Sequence, residues 1–191
     1  HVLASFFFIP LPSPSSGGLW PVLVQGWTLN YEMFFYVVFA ACLALPRRLL
    51  LPAMVVVFVG LVAIGFAAES SNPLFVTYTR PIILEFVAGM LVGRLWLAGR
   101  VPNAFASLVL IVGALAGFAA IGILRLPFDE WICGPLACAL VYGTAALETQ
   151  RGVPRSKIPA VLGDASYSIY LWHTFAISVV AKVGMMLGLA S

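Results

Sequence analysis

The chain has 191 residues, of which 62% are hydrophobic and 9% charged, and its mean hydropathy is +1.07. A soluble domain is about 45–50% apolar and about 25% charged, so this composition excludes a soluble enzyme, a disordered tail and a nucleic-acid-binding module. The net charge of +3, from ten basic and seven acidic residues, reports loop orientation in such a chain rather than an acidic ligand.

The chain opens at His1, not Met, on an apolar run to Ile9 that is too short to span a bilayer and shows no charged n-region and cleavage site resembling a signal peptide. It reads as a cut through a longer protein, so residues 1–27 are taken as the end of a truncated helix plus an outer loop rich in Pro, Ser and Gly. Polar breaks then delimit six candidate spanning helices, at about residues 28–45, 49–68, 82–98, 104–124, 131–147 and 166–189. The breaks are Pro46-Arg47-Arg48, Glu69 to Pro73, Gly99 to Pro102, Arg125 to Glu130 and Glu148 to Pro159. A helix of about 20 apolar residues crosses the ~30 Å hydrocarbon core. The runs are too long, and alternate too little, for a closed β-barrel. The expected fold class is all-α: a polytopic transmembrane helix bundle in a lipid bilayer.

Placing the Arg47-Arg48 turn inside puts Arg47, Arg48, Arg100, Arg151, Arg155 and Lys157 in inner loops, and only Arg80 and Arg125 in outer ones. This is a clear positive-inside bias. The spans contain the small-residue pairs Gly89/Gly93, Gly113/Gly117 and Gly184/Gly188, read as bundle packing rather than a dimer interface; oligomeric state stays open. Cys42, Cys133 and Cys138 all lie in apolar stretches, with no disulfide or metal-ligand spacing.

Five ionisable side chains fall within or beside spans: Glu32, Glu85, Arg94, His173 and Lys182. A charge at mid-helix costs about 2.5–3.5 kcal/mol on insertion scales. Arg94 and Lys182 lie near span ends and can snorkel. Glu85 and Arg94 point to opposite faces of one helix, and Glu85 can reach interfacial water near its outer end. Glu32 has two readings. With Thr28 as N-cap, it is a carboxylate in the first helical turn, favoured by the helix dipole. Alternatively it lines an outward-facing cavity. His173 is either a packing residue or the neutral-pH proton carrier of the spans; Ser166, Tyr170 and His173 share its helix face.

Trp27-Thr-Leu-Asn-Tyr-Glu-Met-Phe-Phe-Tyr36 resembles the W-S-L-S-x-E-x-x-F-Y signature of the acyltransferase 3 family of membrane acyltransferases. Gly163-Asp-Ala-Ser-Tyr-Ser-Ile-Tyr-Leu-Trp-His173 resembles that family's G-x-x-S-Y-S-[IL]-Y-L-W-H signature, and Phe86-Val-Ala-Gly-Met-Leu its F-x-x-G-M-L helix. The first stretch is most similar to the exopolysaccharide-acetylating, succinoglycan-modifying branch. It departs from the family at Thr28 and Asn30, where Ser is usual, and at Met33 and Phe34, where acidic or amide residues often follow the Glu.

The resemblance implies a bacterial inner-membrane, multi-pass protein of about ten helices. The six seen here would be joined by three upstream, holding the catalytic His, and one downstream. It implies O-acylation: an acetyl or other acyl group passes from cytoplasmic acyl-CoA, without a metal, to a hydroxyl of a cell-surface glycan or its lipid-linked precursor. Trp27, Asn30, Glu32, Tyr36, Tyr170 and His173 would then support the base, bind sugar hydroxyls or line the path. Arg151, Arg155 and Lys157 would either meet CoA phosphates or simply follow the positive-inside rule. The rival reading is a carrier or flippase for a lipid-linked sugar. Helix rise places Glu32 near the outer boundary and His173 near the inner one, roughly 14 Å apart in depth, which predicts no direct contact between them.

Overall fold

The structure, a computed structural model, describes residues 2–12, 26–68, 70–152 and 157–186. Most of the expected outer loop, together with Arg155 and Gly188, lies outside these residues. All regular structure among the described residues is helical. The helices are α1 (Val2–Phe6), α2 (Trp27–Cys42), α3 (Arg47–Ala67), α4 (Pro73–Tyr78), α5 (Leu84–Leu97), α6 (Ala104–Ile123), α7 (Glu130–Arg151) and α8 (Lys157–Met186), and a 3-10 turn, Pro81–Ile83, leads into α5. The all-α expectation is therefore met.

Local chemistry sets several ends. The Asn72 side chain accepts from the N–H groups of Leu74 and Phe75, and Pro73 follows it at the first helical position. Asn103 caps α6 through the Ala106 N–H at 2.9 Å, and Asp129 caps α7 through the Trp131 N–H at 2.7 Å. Helix α5 ends where Gly99 turns to φ +67 and the Arg100 N–H closes back onto the Leu95 carbonyl at 3.0 Å.

The helices between Arg47–Ala67, Ala104–Ile123, Glu130–Arg151 and Ala160–Met186 are long and apolar enough to cross a bilayer. Helices α2 and α5 have 16 and 14 residues, or about 24 and 21 Å at 1.5 Å per residue. Each falls short of a ~30 Å core by itself. Helix α8 starts at Lys157, nine residues before the expected Ser166. The polar run there was read as a loop, but polar residues do not prevent helix formation where the backbone bonds close internally.

Polar contacts tie some of the connections to neighbouring helices. At one end Arg80, after α4, pairs with Glu130 at the start of α7. At the other, Tyr142 donates to the Arg100 carbonyl, Gln150 donates to the Pro102 carbonyl at 2.6 Å, and Trp96 Nε1 donates to Thr149 at 3.0 Å.

Two packing units result. Helices α2, α3 and α5 enclose a cluster of Tyr31, Met54, Phe58, Val62, Ile83 and Val87. Phe34 stacks on Tyr78 at 4.2 Å between ring centres, and Phe35 on Phe86 at 4.9 Å. Helices α6 and α7 instead form a tight hairpin of small residues, with Ser107, Ala114, Gly143 and Ala146 buried between them. A Cβ added at Gly143 would lie 2.9 Å from the Ser107 carbonyl oxygen and 3.1 Å from Leu110 Cβ, so only glycine permits this approach. Of the glycine pairs expected to pack, Gly89, Gly93 and Gly113 face open space, whereas Gly117 lies against Leu136.

Candidate functional site

The start of α2 carries the densest set of candidate residues. Trp27 is its first residue, Gly26 stands at the N-cap, and no side chain caps the helix. Thr28 is thus inside the helix and is not the expected cap. Its hydroxyl is instead hydrogen-bonded to the Tyr170 hydroxyl of α8 at 3.1 Å. Glu32 is the sixth residue of α2, and the first turn holds no acidic residue. The first-turn explanation for Glu32 therefore fails, because free N–H groups are confined to that turn.

Glu32 borders a cavity of about 500 Å³ between α2 and α5, lined by Trp27, Thr28, Tyr31, Glu32, Phe35, Ile82, Glu85, Phe86 and Gly89. The α2 members recur at helical spacing, so one face of the helix forms one wall. The edge of Trp27 meets Tyr31 at 5.8 Å between ring centres, and Tyr31 meets Tyr78 at 6.4 Å. The Arg80 guanidinium sits beside the Tyr31 hydroxyl. Tyr78 lies outside the spans, and its phenol is pushed above the ordinary value by burial and then by the neighbouring Tyr31.

The other candidates are placed differently. Asn30 is 4% exposed, and its Oδ1 has no hydrogen-bond partner in the described structure, yet it does not line the cavity. Tyr36 is 54% exposed and outside the cavity wall, in ring contact with Phe35. His173 lies on the exposed surface of α8, where its Nδ1 bonds the Tyr170 carbonyl at 2.6 Å. A carbonyl only accepts, so Nδ1 carries the proton and Nε2 of the neutral ring is left as the basic nitrogen.

No hydrogen bond joins Glu32 to His173 among the described residues. The depth argument for that separation needs correction, however. Starting α8 at Lys157 moves His173 about 14 Å further from the inner end. The Thr28–Tyr170 bond then brings the two motif helices together at one level. Separation is maintained by facing: Glu32 turns toward α5, and His173 folds onto its own helix.

For Glu85 the sequence leaves two readings, a carboxylate reaching interfacial water or one facing the bundle interior or a water-filled cavity. It lines the α2–α5 cavity and also a second one of about 270 Å³ against α7, formed with Pro81, Leu84, Ala88, Glu130, Trp131, Gly134, Pro135 and Cys138. The sequence cue was a glutamate in an apolar run; its meeting with Glu32 depends on how α2 packs against α5. Arg94 and Lys182 are exposed near the ends of their helices, the position from which long cationic side chains snorkel. Arg151 is also exposed.

The acyltransferase 3 family model, described as an acyltransferase domain, matches residues 2–190. A curated relative, the exopolysaccharide production protein ExoZ of Rhizobium meliloti (strain 1021), is 56% identical over 191 residues. That match covers 100% of this chain and 60% of the relative, so the chain spans less than two thirds of the length of the protein it matches. No solved structure matches the chain.

Proposed function

The chain belongs to the acyltransferase 3 family, and we propose that the protein containing it is a multi-pass enzyme of the bacterial inner membrane that O-acylates an exopolysaccharide or its lipid-linked precursor. The donor is acetyl-CoA or another acyl-CoA. The acceptor oxygen attacks the thioester carbonyl, the new C–O ester bond forms, and the C–S bond breaks. The hydroxyl proton passes to a base, and CoA leaves as the thiol.

The observation that carries this reading is the junction of the two signature stretches. Thr28 of the first is bonded to Tyr170 of the second, immediately beside the cavity that holds Glu32. A base must take the hydroxyl proton, and donors must stabilise the thioester oxygen as charge develops on it. Glu32 and Thr28 are placed to bind acceptor hydroxyls. His173, with Nε2 basic, and Tyr170 occupy the adjoining helix. The exopolysaccharide in the relative's name supports a glycan acceptor.

The test is acyl transfer from labelled acetyl-CoA to polysaccharide in membranes containing the whole protein. Glu32→Ala is expected to insert normally and to lose about 10- to 100-fold in transfer, the scale of one charge-assisted hydrogen bond. Unchanged glycan acylation in a well-expressed variant removes Glu32 from the site. Sugar translocation without any acylation would identify a carrier instead.

A further inference from the structure

The cavity between α2 and α5 combines two kinds of wall. Trp27, Tyr31, Phe35 and Phe86 supply aromatic surface, while Glu32 and Glu85 supply carboxylates. Its volume of about 500 Å³ falls in the ~300–1,000 Å³ range of pockets that take small molecules. Arg80, beside the cavity residue Tyr31, is paired with Glu130. No ion pair reaches Glu32 or Glu85 among the described residues. Two carboxylates without a counter-charge, facing one space in a membrane-embedded bundle, require hydrogen-bond donors to offset their desolvation.

We propose that this cavity binds one neutral sugar ring of the acceptor, and that Glu85 positions the ring by accepting a hydrogen bond from one of its hydroxyls. This rests on the acyl-transfer reading above. A pyranose presents C–H faces that pack on aromatic rings and hydroxyls that donate around its rim, matching both kinds of wall. A lipid chain would leave both carboxylates without partners. The phosphates of CoA would be repelled by them, so the donor enters elsewhere. Glu85 is held from behind by α7: a Cβ built at Gly134 would lie 3.4 Å from Glu85 Oε1. The carboxylate therefore rests against a helix wall instead of swinging freely into solvent, and Glu85 shares the lining of the α2–α5 cavity with Glu32.

The experiment measures initial rates in membranes containing the whole protein. Neutral oligosaccharides and their uronate counterparts are varied as acceptors against labelled acetyl-CoA, for the parent protein, Glu85→Ala and Glu85→Gln. Loss of a charge-assisted hydrogen bond is expected to raise the apparent KM for the neutral acceptor about 10-fold or more in Glu85→Ala. The KM for acetyl-CoA should stay unchanged. Glu85→Gln keeps a carbonyl acceptor and should lie between the two. Uronates should be poor acceptors for the parent and improve when the charge is removed. An unchanged acceptor KM overturns the proposal. So does a parallel rise in the acetyl-CoA KM, or loss of insertion in both variants. If the parent acylates no glycan, the functional reading itself fails, and that result is distinct from all of these.

Discussion

The α2–α3–α5 unit and the α6–α7 hairpin are held together in opposite ways. The first is filled by large side chains: Phe58 and Met54 are fully buried, and Phe34, Phe35, Tyr78 and Phe86 stack around them. The second is held by the absence of side chains, with Gly143 set against the Ser107 backbone. In a bilayer, apolar surface gains little by leaving lipid for protein, so helix association depends on close van der Waals packing. Both arrangements achieve it. The α2–α5 cavity lies in the aromatic unit, lined by Trp27, Tyr31, Phe35 and Phe86, whereas small residues bring α6 close to α7. The proposed site is on the aromatic side, and α7 of the hairpin borders Glu85.

This contrast predicts opposite signs for size changes in the two units. The largest effect is expected for Phe58→Ala, which should cost about 3–5 kcal/mol through lost contacts and a residual cavity. Thermal unfolding in detergent checks it, and tolerance of the change would mean the aromatic cluster does not hold the unit. Next comes Gly143→Val. It should cost about 1–3 kcal/mol, because the added carbons meet backbone that cannot yield. A neutral result in the same assay would erase the distinction between the units. The smallest effect concerns the attachment of α8. A double-mutant cycle of Thr28→Val and Tyr170→Phe should give a coupling of about 0.5–1.5 kcal/mol. Zero coupling would show that the two motif helices meet by proximity alone.

Helix α8 sharpens the contrast further. Its signature residues were as legible in sequence as those of α2, yet Trp172 is 64% exposed and His173 bonds back to its own helix at the Tyr170 carbonyl. Polar residues at helical spacing predict a shared face, but they do not predict what that face meets. Tyr170 finds a partner on α2; Tyr36, equally prominent in the other signature, points away from the cavity. Glu85 is the complementary case. A single acidic residue near a span end fits either the interface or a cavity, and the packing of α2 on α5 puts it in the same cavity lining as Glu32.

By itself the sequence determined the all-helical class, the membrane setting and the family. These follow from hydropathy, helix length, charge distribution and short motifs, all of which act locally along the chain. Tertiary structure decided which motif residues share a space. That outcome depends on helix crossing and on the size of buried side chains. Gly143 and Phe58 set how closely neighbouring helices approach, and no local pattern reveals the distance. The exclusion of Asn30 and Tyr36 from the cavity and the inclusion of Glu85 are both consequences of that packing.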